Sequence, residues 1–353
     1  MKPKLYLPVC EQPVLYRIFA GFLSSIYSNI INIRNLLYNN SILRSTRLPG
    51  VCISVGNLTV GGTGKSPFVM ELAQNLIAEG KSPVILTRGY KSSLGEKDIL
   101  VLLDGNIWKK NFSRNSIHLP DEASMYSHKL PTTPIIIARD RVKAAKWFLM
   151  EGGKSTHWIL DDGFQHRKLH RDVDIVLLDA EKPFGNGKLL PLGSLREDLR
   201  SLKRAHFICF TRAGEFPLAT VEAELKRYTT APTYLLSFDF SIRPLDKTMS
   251  FSDSHEPVCV MCGIAHPEKF LAQIQEKNIR VGNTYIVGDH ECFDPKKIQN
   301  AIANCKSLLT TEKDYWRKPS LFEDVGKPCF IAELHIRSIK TDKPTIFKVL
   351  SLI

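Results

Sequence analysis

The chain has 353 residues, 43% of them hydrophobic and 24% charged, with 21 Gly and 20 Pro. That composition suits a folded protein of two domains and excludes a long disordered or low-complexity chain. The formal net charge of +12 favours anionic partners. The basic residues are dispersed along the chain rather than gathered in runs, which speaks against nucleic acid and for a small anion or an acidic lipid surface.

Residues 1–48 differ from the rest. From Val14 to Tyr38 the chain is rich in Leu, Ile, Phe and Tyr, with Arg17, Arg34 and several Ser and Asn between them. The segment is long enough to span a bilayer, but its polar residues make a poor hydrocarbon span. Residues 1–50 hold six Lys or Arg against one acidic residue, Glu11. An apolar helix with basic flanks suits the interface of an anionic membrane, lying in it or shallowly anchored. The plain alternative is a helix packed on the protein's own core.

From Val51 the pattern becomes α/β. A strand over 51–55 runs into Thr59, Val60, Gly61, Gly62, Thr63, Gly64, Lys65 and Ser66, and a helix follows over 66–80. This is the layout of a phosphate-binding loop: glycines let backbone N–H groups curl round an anion, the lysine reaches the terminal phosphates, and the hydroxyl ligates Mg²⁺. Thr59 stands where the strict pattern has its first glycine. A strand at 83–87 and apolar runs at 99–103, 134–138 and 157–160 read as buried strands, with helical segments after Asp121 and after Arg139. Strands alternating with helices predict a mostly parallel sheet covered on both faces, with ligands at the carboxyl ends of its strands.

The run at 157–160 ends in Asp161 and Asp162. An apolar strand that delivers a carboxylate opposite a phosphate loop is the usual way to hold the nucleotide's Mg²⁺. His166 and His170 are spaced for one helix face, but zinc would need further ligands. After a strand at 173–178, the loop around Arg196 and Glu197 offers a charged pair to the same cleft. A strand at 206–210 and a helix near 217–228 complete a first domain over 49–228. Residues 229–256, with Pro232 and Pro244, read as a connector of hairpin character. A second α/β domain over 257–353 follows: strand 257–262, helix 266–277, strand 280–287, helix 295–304 and strands 306–311 and 328–333. The eight cysteines lie in apolar contexts, and the Cys259/Cys262 pair sits in an apolar run, as expected of buried strand residues rather than a metal site.

With these elements in hand, the chain resembles the tetraacyldisaccharide 4'-kinase (lipid A 4'-kinase) family. The matching pieces are residues 55–67, 87–90, 121–123, 138–141, 160–167, 192–197, 263–265, 288–290 and 310–314, in the family's order. The Leu160–His166 string is particularly specific. Ser66 stands where the family usually has Thr, and Leu119-Pro120 precede Asp121 where Gly is typical. The resemblance implies a P-loop NTPase-like domain with a smaller second α/β domain and an N-terminal membrane-associating helix. It implies transfer of the γ-phosphate of ATP to the 4'-hydroxyl of tetraacyldisaccharide 1-phosphate, an anionic lipid. The implied location is the cytoplasmic face of a bacterial inner membrane, with no nucleic acid and no obligate protein partner.

Roles follow for named residues. Lys65 and the loop 59–66 would hold ATP, and Ser66, Asp161, Asp162 and Glu197 the Mg²⁺. By similarity to the family's catalytic dyad, Asp121 would accept the sugar hydroxyl's proton with His290 raising its basicity. On the sequence alone, the alternative for Asp121 is a helix cap. Tyr90, Gln165, His166 and Arg196 are expected to touch nucleotide or acceptor. A membrane-associated regulatory ATPase that binds protein partners would share the loop, but such proteins place a lysine before the paired glycines, where this chain has Val60. A kinase of a soluble sugar or nucleoside would not need the apolar N-terminus.

Overall fold

The computed structural model describes residues 11–90, 92–114, 117–288, 291, 293–323, 325–339 and 344–353. In chain order, helix α1 (Val14–Asn39) precedes β1 (Val51–Asn57), α2 (Lys65–Ala78), β2 (Pro83–Thr87), β3 (Leu100–Leu103) and β4 (Asn106–Lys110). Then come α3 (Asp121–Lys129), β5 (Ile135–Ile137), α4 (Arg141–Met150), β6 (His157–Asp161), β7 (Val173–Asp179), β8 (Phe207–Thr211), α5 (Ala219–Leu225) and β9 (Thr233–Pro244). The smaller half holds β10 (Val258–Cys262), α6 (Pro267–Glu276), β11 (Val281–Ile286), α7 (Pro295–Ile302), β12 (Ser307–Thr311), α8 (Glu312–Arg317), α9 (Ser320–Glu323), β13 (Cys329–Ser338) and α10 (Ile346–Ser351).

The strands form one sheet in the order β11-β10-β12-β13-β9-β8-β7-β1-β6-β2-β5-β3-β4. The central strands β1, β2, β6 and β7 are parallel and read as near-continuous apolar runs, because both of their faces are covered. One cluster packs β1, β5 and β6 against α2 and α3 through residues such as Ile53, Phe68, Leu72, Tyr126 and Ile159. The opposite face is closed by α4 through Phe148, Trp158 and their neighbours. Cys259 and Cys262 are free and buried on β10, as their apolar context predicted.

The hairpin expected in 229–256 is absent. That stretch holds a single long strand, β9, which runs parallel to β8 and pairs antiparallel with β13 over nine residue pairs, from Phe330↔Pro244 to Ser338↔Leu236. Pairing across some ninety residues leaves no local turn signal, so an alternating strand flanked by prolines passes for half of a hairpin. The β9/β13 pair is the seam of the sheet. Beyond it, β12 and β10 are parallel to β13 and so reversed relative to β1. The residues at and just beyond the carboxyl ends of β10 and β12, Ile264, Ala265 and Thr311, border the same cleft as the loop after β1 and the end of β6. The last helix, α10, returns to the larger half, where Phe347 packs on Phe68 of α2.

Helix α1 is docked by its polar side. Tyr16 donates to the Pro191 carbonyl at 2.8 Å, Ser24 to Leu189 at 3.0 Å and Tyr27 to Arg196 at 2.9 Å. Ala20 and Ser24 are its buried residues. Leu15, Ile18, Phe19, Phe22, Ile26, Ile30 and Ile33 are exposed. Their spacing of three and four residues puts them on one stripe opposite the docked side. The helix is long and apolar enough to cross a membrane by length and composition.

Candidate active site

The phosphate loop forms where β1 ends. Its entry is held by the chain's own backbone: Thr59 bridges Leu195 in antiparallel fashion, Val60 N–H donates to Ser194 O at 2.8 Å, and Arg196 N–H to Leu58 O at 2.7 Å. This explains the threonine where a glycine is usual. The position is a buried strand-like residue, with no need for a left-handed backbone. Gly64 does need one. It sits at φ +81° at the head of α2, and a Cβ there would run into the Phe238 ring. The N–H groups of the first turn of α2 therefore face the loop's hollow, with the positive end of the helix dipole behind them.

Lys65 opens α2, and its Nζ reaches back to Asn57 Oδ1 at 3.1 Å and to Asp162 Oδ1 at 3.5 Å. Gln165 donates to the Asn57 carbonyl at 3.0 Å, so both flank the end of β1. Ser66 donates to Glu122 Oε1 at 3.0 Å. Glu122, the second residue of α3, received no role from the sequence, although it stands beside Asp121 in a matching motif.

The two aspartates at the end of β6 live in different surroundings. Asp161 is buried and accepts from Thr87 Oγ1 at 3.2 Å and Tyr126 OH at 3.4 Å. Burial, then the negative charge of Glu122 and Asp162, push its carboxyl well above the usual carboxylate range. Asp162 sits at φ +50°, a strained setting for a non-glycine residue. Arg196 Nη1 donates to both of its carboxylate oxygens, Oδ1 at 2.8 Å and Oδ2 at 2.7 Å. Burial opposes its ionisation, but Lys65 and Arg196 outweigh that and hold its carboxyl at about 2. Adjacent carboxyl groups with opposed shifts are suited to different tasks.

Asp121 is the first residue of α3, and its Oδ2 accepts from Arg317 Nε of α8 at 3.0 Å, with both side chains almost fully buried. It lines a cavity of about 400 Å³ with Tyr90, His118, Asp314 and Arg317. Tyr90 and Glu122 also border the main cleft of about 1300 Å³, which contains the loop, Lys65, Asp161 and Asp162 and reaches across to Thr311 and Ala265 of the smaller half. His290 lies outside the described residues. His166 is on the cleft wall, with Nε2 buried and without a hydrogen-bond partner among the described residues. Burial, then Arg141 and Arg171, lower its imidazole to about 3, so it is neutral near pH 7.

Glu197 is not placed as expected. Its carboxylate is fully buried between Arg34 of α1 and Arg204, each at 2.8 Å, with Asn35 donating at 3.3 Å. Two arginines already neutralise it, so it ties α1 to the 189–197 segment.

A family model described as Tetraacyldisaccharide-1-P 4'-kinase matches residues 17–350. The chain is 33% identical over 333 residues to tetraacyldisaccharide 4'-kinase of Halothermothrix orenii, covering 87% of this chain and 83% of that one. It is 34% identical over 298 residues to the protein of the same name from Geobacter metallireducens, covering 83% and 86%. Among solved structures, LpxK from Aquifex aeolicus in complex with ATP superposes with a TM-score of 0.72 at 30% identity, over 95% of this chain and 98% of that chain.

Proposed function

The chain belongs to the tetraacyldisaccharide 4'-kinase family, and from this premise we infer how its own residues divide the work of the family's reaction. It transfers the γ-phosphoryl group of ATP to the 4'-hydroxyl of tetraacyldisaccharide 1-phosphate in lipid A biosynthesis. The match over most of the chain leaves the regulatory ATPase unfavoured.

In the proposed mechanism the loop N–H groups and Lys65 hold the β- and γ-phosphates at the head of α2. Asp121 takes the proton of the acceptor hydroxyl as its oxygen forms a bond to the γ-phosphorus. The bond to the bridging oxygen breaks, ADP leaves with that oxygen, and the proton passes from Asp121 to solvent. Positioning and charge neutralisation supply most of the rate. Arg196 keeps Asp162 ionised beside Lys65, which fixes the lysine's direction. The observation that carries this assignment is the Arg196–Asp162–Lys65 chain at the mouth of the loop.

Ser66, Glu122 and Asp161 would fit a Mg²⁺ ion: they are hard oxygen donors, and the Asp161 carboxyl is raised first by burial and then by the charges of Glu122 and Asp162. When bound with ATP, Mg²⁺ would neutralise the charge on the phosphate oxygens. The exposed stripe of α1 supports a helix lying on the cytoplasmic face of the inner membrane, next to its anionic lipid substrate. The two halves would be separate lobes meeting at the β9/β13 seam.

The test is transfer of labelled γ-phosphate to detergent-solubilised tetraacyldisaccharide 1-phosphate by wild type and Asp121→Ala. Loss of about 10²–10⁴-fold in turnover with ATP binding intact is the expected result for a general base. Wild-type turnover in the variant would remove Asp121 from that role.

A further inference from the structure

Arg317 contributes more than one bond to Asp121. Its guanidinium is held on three sides by the smaller half: Nη1 pairs with Asp314 Oδ1 at 2.9 Å and donates to Glu291 O at 3.0 Å, and Nη2 donates to Gly263 O at 3.4 Å. Asp314 is itself fixed, with Oδ2 accepting from Gly263 N–H at 2.9 Å and Thr311 Oγ1 at 2.6 Å. Gly263 makes room for the pair, since a Cβ there would lie 3.1 Å from Arg317 Nη1 and 3.2 Å from Asp314 Oδ1. The third nitrogen, Nε, donates to Asp121 across the boundary between α3 and α8. The Arg317 side chain is only 6% exposed, so solvent screens this pair little. The same boundary is fastened by Lys129 on Glu312 at 2.9 Å and by His128 stacked on Trp316.

We propose that Arg317 is a positioning residue for the phosphoryl transfer: it fixes the Asp121 carboxylate at the seam of the two halves, with its fork anchored by Asp314 and the backbone of the smaller half. This rests on Asp121 being the base. A carboxylate at the first position of a helix has several rotamers open to it, and one fixed donor selects among them. A planar, bidentate-capable group is needed because one face must grip Asp314 while Nε points elsewhere; an ammonium on a flexible stem does this less well. The smaller half thus acts on the chemistry through a rigid guanidinium, and loss of the side chain takes this hold away while leaving the base in place.

The experiment is steady-state kinetics with ATP–Mg²⁺ and tetraacyldisaccharide 1-phosphate for wild type, Arg317→Met, Arg317→Lys, Asp121→Asn and the double variant Asp121→Asn/Arg317→Met. Arg317→Met should lower kcat by about 10²-fold, the size of effect a misplaced reacting group produces. Both KM values should stay within about 2-fold, because ground-state binding is untouched. Arg317→Lys should recover part of the loss. In the Asp121→Asn background the Met change should cost less than about 3-fold, since the two act as one unit. Thermal melting with and without ATP monitors folding, and if the Met variant fails to fold, the Lys variant alone and in the Asp121→Asn background decides. Wild-type kcat in Arg317→Met, or an undiminished loss in the Asp121→Asn background, overturns the proposal. Wild-type turnover by Asp121→Asn would instead remove the base itself and Arg317's role with it.

Discussion

His166 provides a direct test of the electrostatics of the cleft wall. Burial, then Arg141 and Arg171, hold its imidazole at about 3 against an ordinary value of 6.5, with Asp140 opposing the shift and Lys168 adding to it. As pH falls through about 6.5 the unfolded chain takes up a proton that the folded chain refuses until much lower pH, so stability falls with acidification across that window. At about pH 5 the deficit is roughly 1.5 units at about 1.4 kcal/mol per unit, or about 2 kcal/mol. His166→Gln cannot take up the proton in either state. Urea denaturation near pH 7 and near pH 5 should show wild type losing about 2 kcal/mol more than the variant. Selective ¹⁵N-histidine NMR of the folded protein should show this ring still neutral near pH 5. Equal losses in the two proteins, or a ring that titrates near its ordinary value in the folded state, would refute the reasoning. A ring neutral near pH 7 offers the cleft a hydrogen-bonding group rather than a cation.

Glu197→Gln should destabilise the protein by roughly 2–3 kcal/mol, below the usual cost of breaking a buried pair because the Arg34 side chain is 30% exposed and can turn to water. Limited proteolysis should then cut α1 free sooner than in wild type. Gly64→Ala forces a left-handed backbone on alanine and drives its Cβ toward Phe238, so it should cost about 1–3 kcal/mol and weaken ATP binding measured by calorimetry. Phe22→Glu with Ile26→Glu removes two exposed apolar side chains from the α1 stripe. At about 1.5 kcal/mol or more apiece, vesicle co-sedimentation should weaken by at least about 10²-fold while ATP affinity is kept. Unchanged vesicle binding would detach the stripe from any membrane role.

The parts of this molecule that were legible from residue order are those whose physics is local. β1, the loop and α2 are consecutive, and an apolar run followed by flexible residues and Gly-Lys-Ser has few other stable outcomes. Asp161 closes β6 at the border of the cleft, where an apolar run ending in an acidic pair leads one to expect it. What the order of residues concealed is pairing at a distance. β9 meets β13, α10 reaches back to α2, and Thr59 is held by Leu195, all through hydrogen bonds or packing that leave no mark on the neighbouring sequence. Glu197 shows the consequence for chemistry. A carboxylate in a loop beside a phosphate site invites a metal, and only the arrival of Arg34 from 163 residues away, with Arg204, shows that its charge is already met. Glu122 is the converse case: it stood beside Asp121 without a role until α2 brought the Ser66 hydroxyl to it. A carboxylate's role depends on which cations the fold brings to it. Asp161 is raised by burial and by the charges of Glu122 and Asp162, whereas Glu197 sits between two arginines that tie it to α1 and to its own segment.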